Sequence, residues 1–207
     1  MEVNFYGANC VRITTKKASI IIDDNLEKLG KKPVTKKEDI VLKTYSFKQA
    51  AKDAKIVIDT PGEFEVSGTS IMGLAAKGHM EEGKAQSHIM YKLIVGEIRI
   101  AVVGHIYPEL DEEQLEALGT VDVLIVPVGG HGYTLDAVGA SKIIKNVDPK
   151  VVIPTHYADN DLAYEVPQSS LEDALKDLPF EEYETVDKYK LKSKDLPEVA
   201  KMVVITS

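Results

Sequence analysis

Four of the five histidines in this 207-residue chain stand in short loops that follow apolar, strand-like runs. The runs 98–103, 123–128 and 151–154 lead into Gly104-His105, Gly129-Gly130-His131 and Thr155-His156, and His79 follows Gly78 after the run 70–74. Loops at the carboxyl ends of sheet strands are where sites are commonly built, and glycines there let a ligand approach the backbone. Neutral imidazole is a good ligand for zinc and related ions, and a catalytic zinc takes three protein ligands and leaves one position for water. A single loop histidine is more often a surface or hydrogen-bonded structural residue than a ligand, so the argument rests on the recurrence. His88 lies at the edge of a strand pattern and reads as structural. Cys10, the single cysteine, has no base near it in sequence and reads as a small buried apolar residue.

These loops need a sheet to hold them. The first half of the chain is a series of short strand patterns at 3–6, 10–14, 19–23, 40–42, 55–58, 70–74, 89–95 and 98–103. Between two of them, 47–54 has helix-forming composition, and Thr60-Pro61-Gly62 is a turn. The second half alternates strand with helix. A helix is expected over 111–118, where acidic residues suit an N-terminus, and another over 135–146 behind Thr134 as N-cap. A third is expected over 171–178 behind Ser169 or Ser170, and the apolar runs 123–128, 151–154 and 202–205 are strands. Helices should therefore pack on the outside of substantial sheets.

Composition narrows the functional classes. Apolar residues make up 44% and charged residues 28%, and no Gly/Ser/Pro-rich linker interrupts the chain, so one domain over 1–207 is expected. The net charge of −8 argues against a nucleic-acid partner, and the cluster Lys28, Lys31, Lys32, Lys36 and Lys37 reads as a solvated loop. No apolar run approaches the roughly 20 residues that cross a bilayer, so no membrane role is expected. A lone cysteine and the lack of a leader pattern make the cytoplasm the default. The local signatures of dinucleotide binding, P-loops, zincins, serine hydrolases and thiol redox motifs are all absent from the sequence.

Five longer segments carry a family resemblance. They are Tyr6-Gly7-Ala8-Asn9-Cys10 with Ile20-Ile21-Ile22-Asp23; Asp39-Ile40-Val41-Leu42; Ile58-Asp59-Thr60-Pro61-Gly62-Glu63-Phe64-Glu65-Val66; Val121-Asp122-Val123-Leu124-Ile125-Val126-Pro127-Val128-Gly129-Gly130 with Tyr133-Thr134-Leu135-Asp136-Ala137; and Val152-Ile153-Pro154-Thr155-His156-Tyr157. In this order they resemble the metallo-β-lactamase fold superfamily, in the branch of ascorbate-6-phosphate lactonase-like proteins and predicted zinc-dependent hydrolases. The resemblance implies an α/β (α+β) fold, a four-layer αββα sandwich whose two halves bring their loops together over a metal pair. It also implies a Thr-His-x-His-x-Asp-His loop, and in this chain Tyr45, Phe47, Gln49 and Ala50 stand where that loop has His, His, Asp and His. Ala8 stands where the family has another His, and His105 where it has a bridging Asp. His156 is retained at register, His79 lies one place beyond a family histidine, and the loop of His131 carries one extra residue.

Tyr, Phe, Gln and Ala cannot replace imidazole and carboxylate as zinc ligands. The expectation is therefore a pseudo-hydrolase without a cofactor, acting by binding a small molecule or a protein, with a homo-oligomer among its possible forms. The alternative is a divergent metal-dependent hydrolase with one zinc or other divalent transition metal held by His79, His105 and His156. In either case His79, His105, His131 and His156 are expected around one cleft, with Tyr45, Phe47 and Ala50 along it.

Overall fold

A computed structural model describes residues 1–48, 51, 53–82 and 85–207. In chain order the strands are β1 (Glu2–Phe5), β2 (Val11–Thr14), β3 (Ser19–Ile22), β4 (Ile40–Leu42), β5 (Ile56–Ile58), β6 (Gly62–Val66) and β7 (Thr69–Ala76). They continue as β8 (His88–Val95), β9 (Ile98–Val102), β10 (Val123–Pro127), β11 (Val151–Thr155), β12 (Tyr183–Val186), β13 (Tyr189–Lys190) and β14 (Lys201–Ile205). Among the described residues three α-helices join them: α1 (Glu112–Leu118), α2 (Ala137–Val147) and α3 (Leu171–Asp177). One sheet has the order β13-β1-β2-β3-β4-β5, the other β12-β14-β11-β10-β9-β8-β7-β6.

Two-residue alternation explains why these strands make layers. Ile20 and Ile22 of β3 point into the core between the sheets, where they join Leu93, Ile100, Val123, Ile125 and Ile153 from the second sheet. Ile21 points the other way, to a small cluster with Cys10, Val41 and Leu162. Strands β10 and β11 are buried on both faces, hence their unbroken apolar runs: Leu124, Val126 and Val152 pack beneath Ala140, Ile143 and Ile144 of α2. The two-sheet α/β architecture expected from sequence is thus present. Among the described residues, the outer face of the first sheet is covered by a single-turn 3-10 helix, Leu26–Leu29, and by the chain around Leu162. The described residues of 47–54 are not helical despite the composition, and Ala51 and Ala54 pack on the cluster around Cys10 without a helix to carry them.

Helix α2 begins two residues later than its pattern suggests. Asp136, not Thr134, is its N-cap, and the carboxylate accepts from the amide of Gly139 at 2.7 Å. Thr134 is instead fully buried, with a hydroxyl that finds no protein partner. Asp136→Ala should cost about 1 kcal/mol of stability, read as a lower urea midpoint at an unchanged slope. Ser170 caps α3 as expected, its hydroxyl accepting from Asp173. Strands β6, β12 and β13 were not read from the sequence; the first and second are sheet edges, largely exposed, and of β6 only Phe64 and Val66 reach the core.

Candidate functional site

Topology decides which histidines meet. Strands β9, β10 and β11 are parallel neighbours, so their carboxyl ends open on the same edge of the sheet. Strand β7 runs in the same sense, since it and β9 are each antiparallel to β8. The first sheet contributes the ends of β3 and β4, again parallel to each other. Tyr91 of β8 holds the two sheets together here: its hydroxyl lies 2.9 Å from the carbonyl oxygens of both Lys43 and Ile58.

His105 and His156 come into direct contact, with ring centroids 4.7 Å apart and ring planes nearly perpendicular. Both are almost fully buried. His105 is further enclosed by Tyr45 at 5.0 Å and Tyr133 at 4.9 Å. His79 is tied in through its backbone, whose amide donates to the His105 carbonyl at 2.8 Å. His88 joins through Tyr45, on which it stacks at 6.0 Å, so a residue read as structural belongs to the same aromatic cluster. His131 does not: it is exposed at the tip of the turn after β10, in a left-handed conformation, and touches none of these rings. Phe47 is half-buried and packs on Tyr45 at 5.0 Å. Gln49 and Ala50 lie outside the described residues.

Several local features hold this arrangement. His156 has φ of +55°, a conformation that costs a non-glycine residue about 1 kcal/mol or more and is here locked by its amide donating to the Ala8 carbonyl at 2.8 Å. Ala8, itself at φ +49°, therefore serves the site through its backbone, while its amide donates to the Tyr164 hydroxyl. Gly104 sits at φ +59°, and a β-carbon there would lie 2.4 Å from the Thr44 hydroxyl oxygen. Only glycine lets the His105 loop settle against the end of β4.

The electrostatics follow from burial. Desolvation holds His105 well below the usual imidazole range, helped by the neighbouring His156, His88 and His79; the Tyr133 backbone counters this only in part. His156 is pushed down to about 4, again by burial, against a hydrogen bond to the Gln168 amide oxygen that works the other way. Both rings are therefore neutral at pH 7. Apart from the approach of the Tyr133 backbone, neither nitrogen of His105 has a partner in good hydrogen-bond geometry, and Nδ1 of His79 is likewise without one. Unsatisfied buried nitrogens of this kind are costly, and neutral imidazole is what a transition metal requires.

The donors gathered here are imidazoles alone, and among the described residues no group of three or more His, Cys, Asp or Glu side chains is placed to hold a metal ion. The built part is the pair His105 and His156. Sequence reasoning missed Asp23 as part of this end of the molecule. It is fully buried at the end of β3, accepts from the amide and hydroxyl of Thr44 at 2.8 and 2.5 Å, and is raised by desolvation to about 7. The one available signal was a carboxylate closing an apolar run. Asn25, Tyr133, Tyr164 and Gln168 were also missed, because their placement depends on loop conformation.

A groove of about 900 Å³ opens beside the cluster, sharing Tyr45 and Asn25 with it, whose side chains are hydrogen-bonded at 2.9 Å. Lys28, Lys43, Lys48 and Phe47 also line it.

Comparison with known proteins adds the following. The family model described as Beta-lactamase superfamily domain matches residues 2–156. A UPF0173 protein of Pyrococcus abyssi is 26% identical over 181 residues, 76% of this chain and 83% of its own. A UPF0173 metal-dependent hydrolase of Pyrococcus horikoshii is 28% identical over 109 residues, about half of each chain (51% and 48%). Among solved structures, a candidate zinc-dependent hydrolase of the metallo-β-lactamase superfamily from Thermotoga maritima superposes with a TM-score of 0.77 at 26% identity, covering 99% of this chain and 97% of that one. The names of these relatives overturn the expectation of a pseudo-hydrolase and leave that of a cofactor-free site without support. The orphaned nitrogens of His79 and His105 agree with that correction, since they are donors without an occupation. On the match over residues 2–156 and the shared two-sheet fold, the chain belongs to the β-lactamase superfamily.

Proposed function

We propose that the protein is a divergent metal-dependent hydrolase that works with a single divalent transition-metal ion, zinc being the first to test. The observation that carries this reading is the pair of contacting, buried, neutral imidazoles, of which His105 has only the Tyr133 backbone near its ring and no partner in good hydrogen-bond geometry. His105 and His156 would hold the ion, with His79 as third ligand through its unpartnered Nδ1. When bound, such an ion supplies Lewis acidity and a nucleophilic water at neutral pH.

The chain's own residues do the rest. Tyr45 and Tyr133 flank His105 and shield the rings from bulk water, which strengthens every electrostatic interaction between them. The adjoining groove would receive the substrate, with Phe47 as an apolar wall and Lys28, Lys43 and Lys48 near an anionic group. Cytoplasmic location, a single domain and the lack of a nucleic-acid partner remain part of the proposal. Among the described residues no helix is long and apolar enough to cross a membrane.

Elemental analysis of tag-free protein tests the reading. About one equivalent of zinc, iron or manganese per chain is expected after gel filtration, together with hydrolysis of at least one phosphoester or lactone in a substrate panel that EDTA abolishes and the metal restores. Protein that neither retains nor takes up a divalent ion would overturn it.

A further inference from the structure

Gln168 lies between β11 and α3, twelve residues from His156, in a segment with no motif of its own. Its side chain is committed at both ends. The amide nitrogen donates to the carbonyl of Val166 at 2.8 Å, which turns the amide oxygen toward Nδ1 of His156 at 3.1 Å. The reverse orientation would set two carbonyl oxygens against each other at Val166. A carbonyl oxygen can only accept, so Nδ1 of His156 must be the N–H. A neutral imidazole carries a single N–H, and Nε2 is left with its lone pair free.

The fold makes room for this contact deliberately. The segment is fastened by the amide of Ser169 donating to the Gly129 carbonyl at 2.8 Å and by that of Ala158 donating to the Ser169 carbonyl at 2.9 Å. At Gly129 a β-carbon would lie 1.9 Å from the carbonyl oxygen of His156 and 2.2 Å from the Gln168 amide oxygen. Any larger residue there would push Gln168 off the ring. The glycine that follows β10 is thus the opening through which an uncharged side chain reaches an almost wholly buried histidine.

We propose that Gln168 is a positioning residue that fixes His156 as its Nδ1–H tautomer and so presents Nε2 as the donor to a metal ion. This rests on the reading of His156 as a ligand. Partners of this kind, which hold a ligating histidine by its second nitrogen, are generally worth 10- to 100-fold in metal affinity. An uncharged acceptor sets the tautomer without adding a negative charge to a buried site.

The experiment is long-range ¹H–¹⁵N correlation spectroscopy of the metal-free, ¹⁵N-labelled full chain at pH 7.5, with zinc affinity measured in parallel by chelator competition. Wild type is expected to show His156 as the Nδ1–H tautomer. Gln168→Leu, similar in shape but without an acceptor, should give the Nε2–H form or a mixture and weaken zinc binding about 10- to 100-fold. An Nε2–H tautomer in wild type, or a tautomer unmoved by Gln168→Leu, would overturn the assignment, and the wild-type spectrum decides even if a variant fails to fold. If the tautomer follows Gln168 but wild type binds no zinc, the positioning role stands and the metal-dependent hydrolase reading is what fails.

Discussion

His156→Ala should lose its divalent ion outright, with affinity falling by more than the roughly 100-fold that removing a supporting group costs. The reason is that only two imidazoles are in contact, so deleting one leaves His105 and, at a greater remove, His79. Thermal melts read this directly. Zinc at about 100 times its dissociation constant stabilises a protein that binds it only when folded by about 2.7 kcal/mol. For a chain of this size that is a rise of roughly 5–10 °C in melting temperature. Wild type should show the rise and lose it on adding EDTA, while His156→Ala should melt at one temperature in both conditions. A variant that still responds to zinc would remove His156 from the ligand set. Lack of response in wild type would remove the site altogether.

The second large effect is expected at Asp23. Asp23→Ala strips the partner from two buried groups of Thr44, its amide and its hydroxyl, and each such loss costs about 1–3 kcal/mol. A total of roughly 3–5 kcal/mol follows, together with a loosened Tyr45 beside His105. Asp23→Asn keeps the acceptor for the Thr44 amide, and the Thr44 hydroxyl can turn to accept from the new amide group, so most of that loss should vanish. The pH dependence separates charge from hydrogen bonding. Folding raises the Asp23 carboxyl from 3.8 to about 7 because the buried site penalises the anion. A raised folded value contributes stability that is fully present below the unfolded value and lost as pH climbs through the folded one. Relative to Asp23→Asn, wild type should therefore lose stability between about pH 4 and pH 7, by up to about 4 kcal/mol, and run parallel above pH 8. Urea midpoints of the two proteins at pH 4.5, 6, 7.5 and 9 test this; a constant difference would show that the carboxylate stays ionised on folding.

Much of the architecture was legible because it rests on local pattern. Unbroken apolar runs in β3, β10 and β11 and the cap of α3 each announce themselves within a few residues. The same reasoning erred where residue type and position part: the described residues of 47–54 are helix formers by type yet not helical, and Thr134 is a cap by type but a buried hydroxyl by position. The histidines divide along the same line. Each was found by its place after a strand, yet that criterion selected His131 as readily as His156 and passed over His88.

What the sequence by itself determined was the α/β layering, the family resemblance, and the set of loops in which chemistry could occur, because these depend on residue type and short-range spacing. The tertiary structure decided which loop residues meet. His105 and His156 touch because β9, β10 and β11 are parallel and end together. His131 is excluded because its turn points it to solvent. Asp23 becomes a strained carboxyl because the end of β4 closes over it, and Gln168 reaches His156 because Gly129 leaves it room. Burial, tautomer and proton affinity all belong to the space around a side chain, and that space is made by residues from 12 to 156 positions apart.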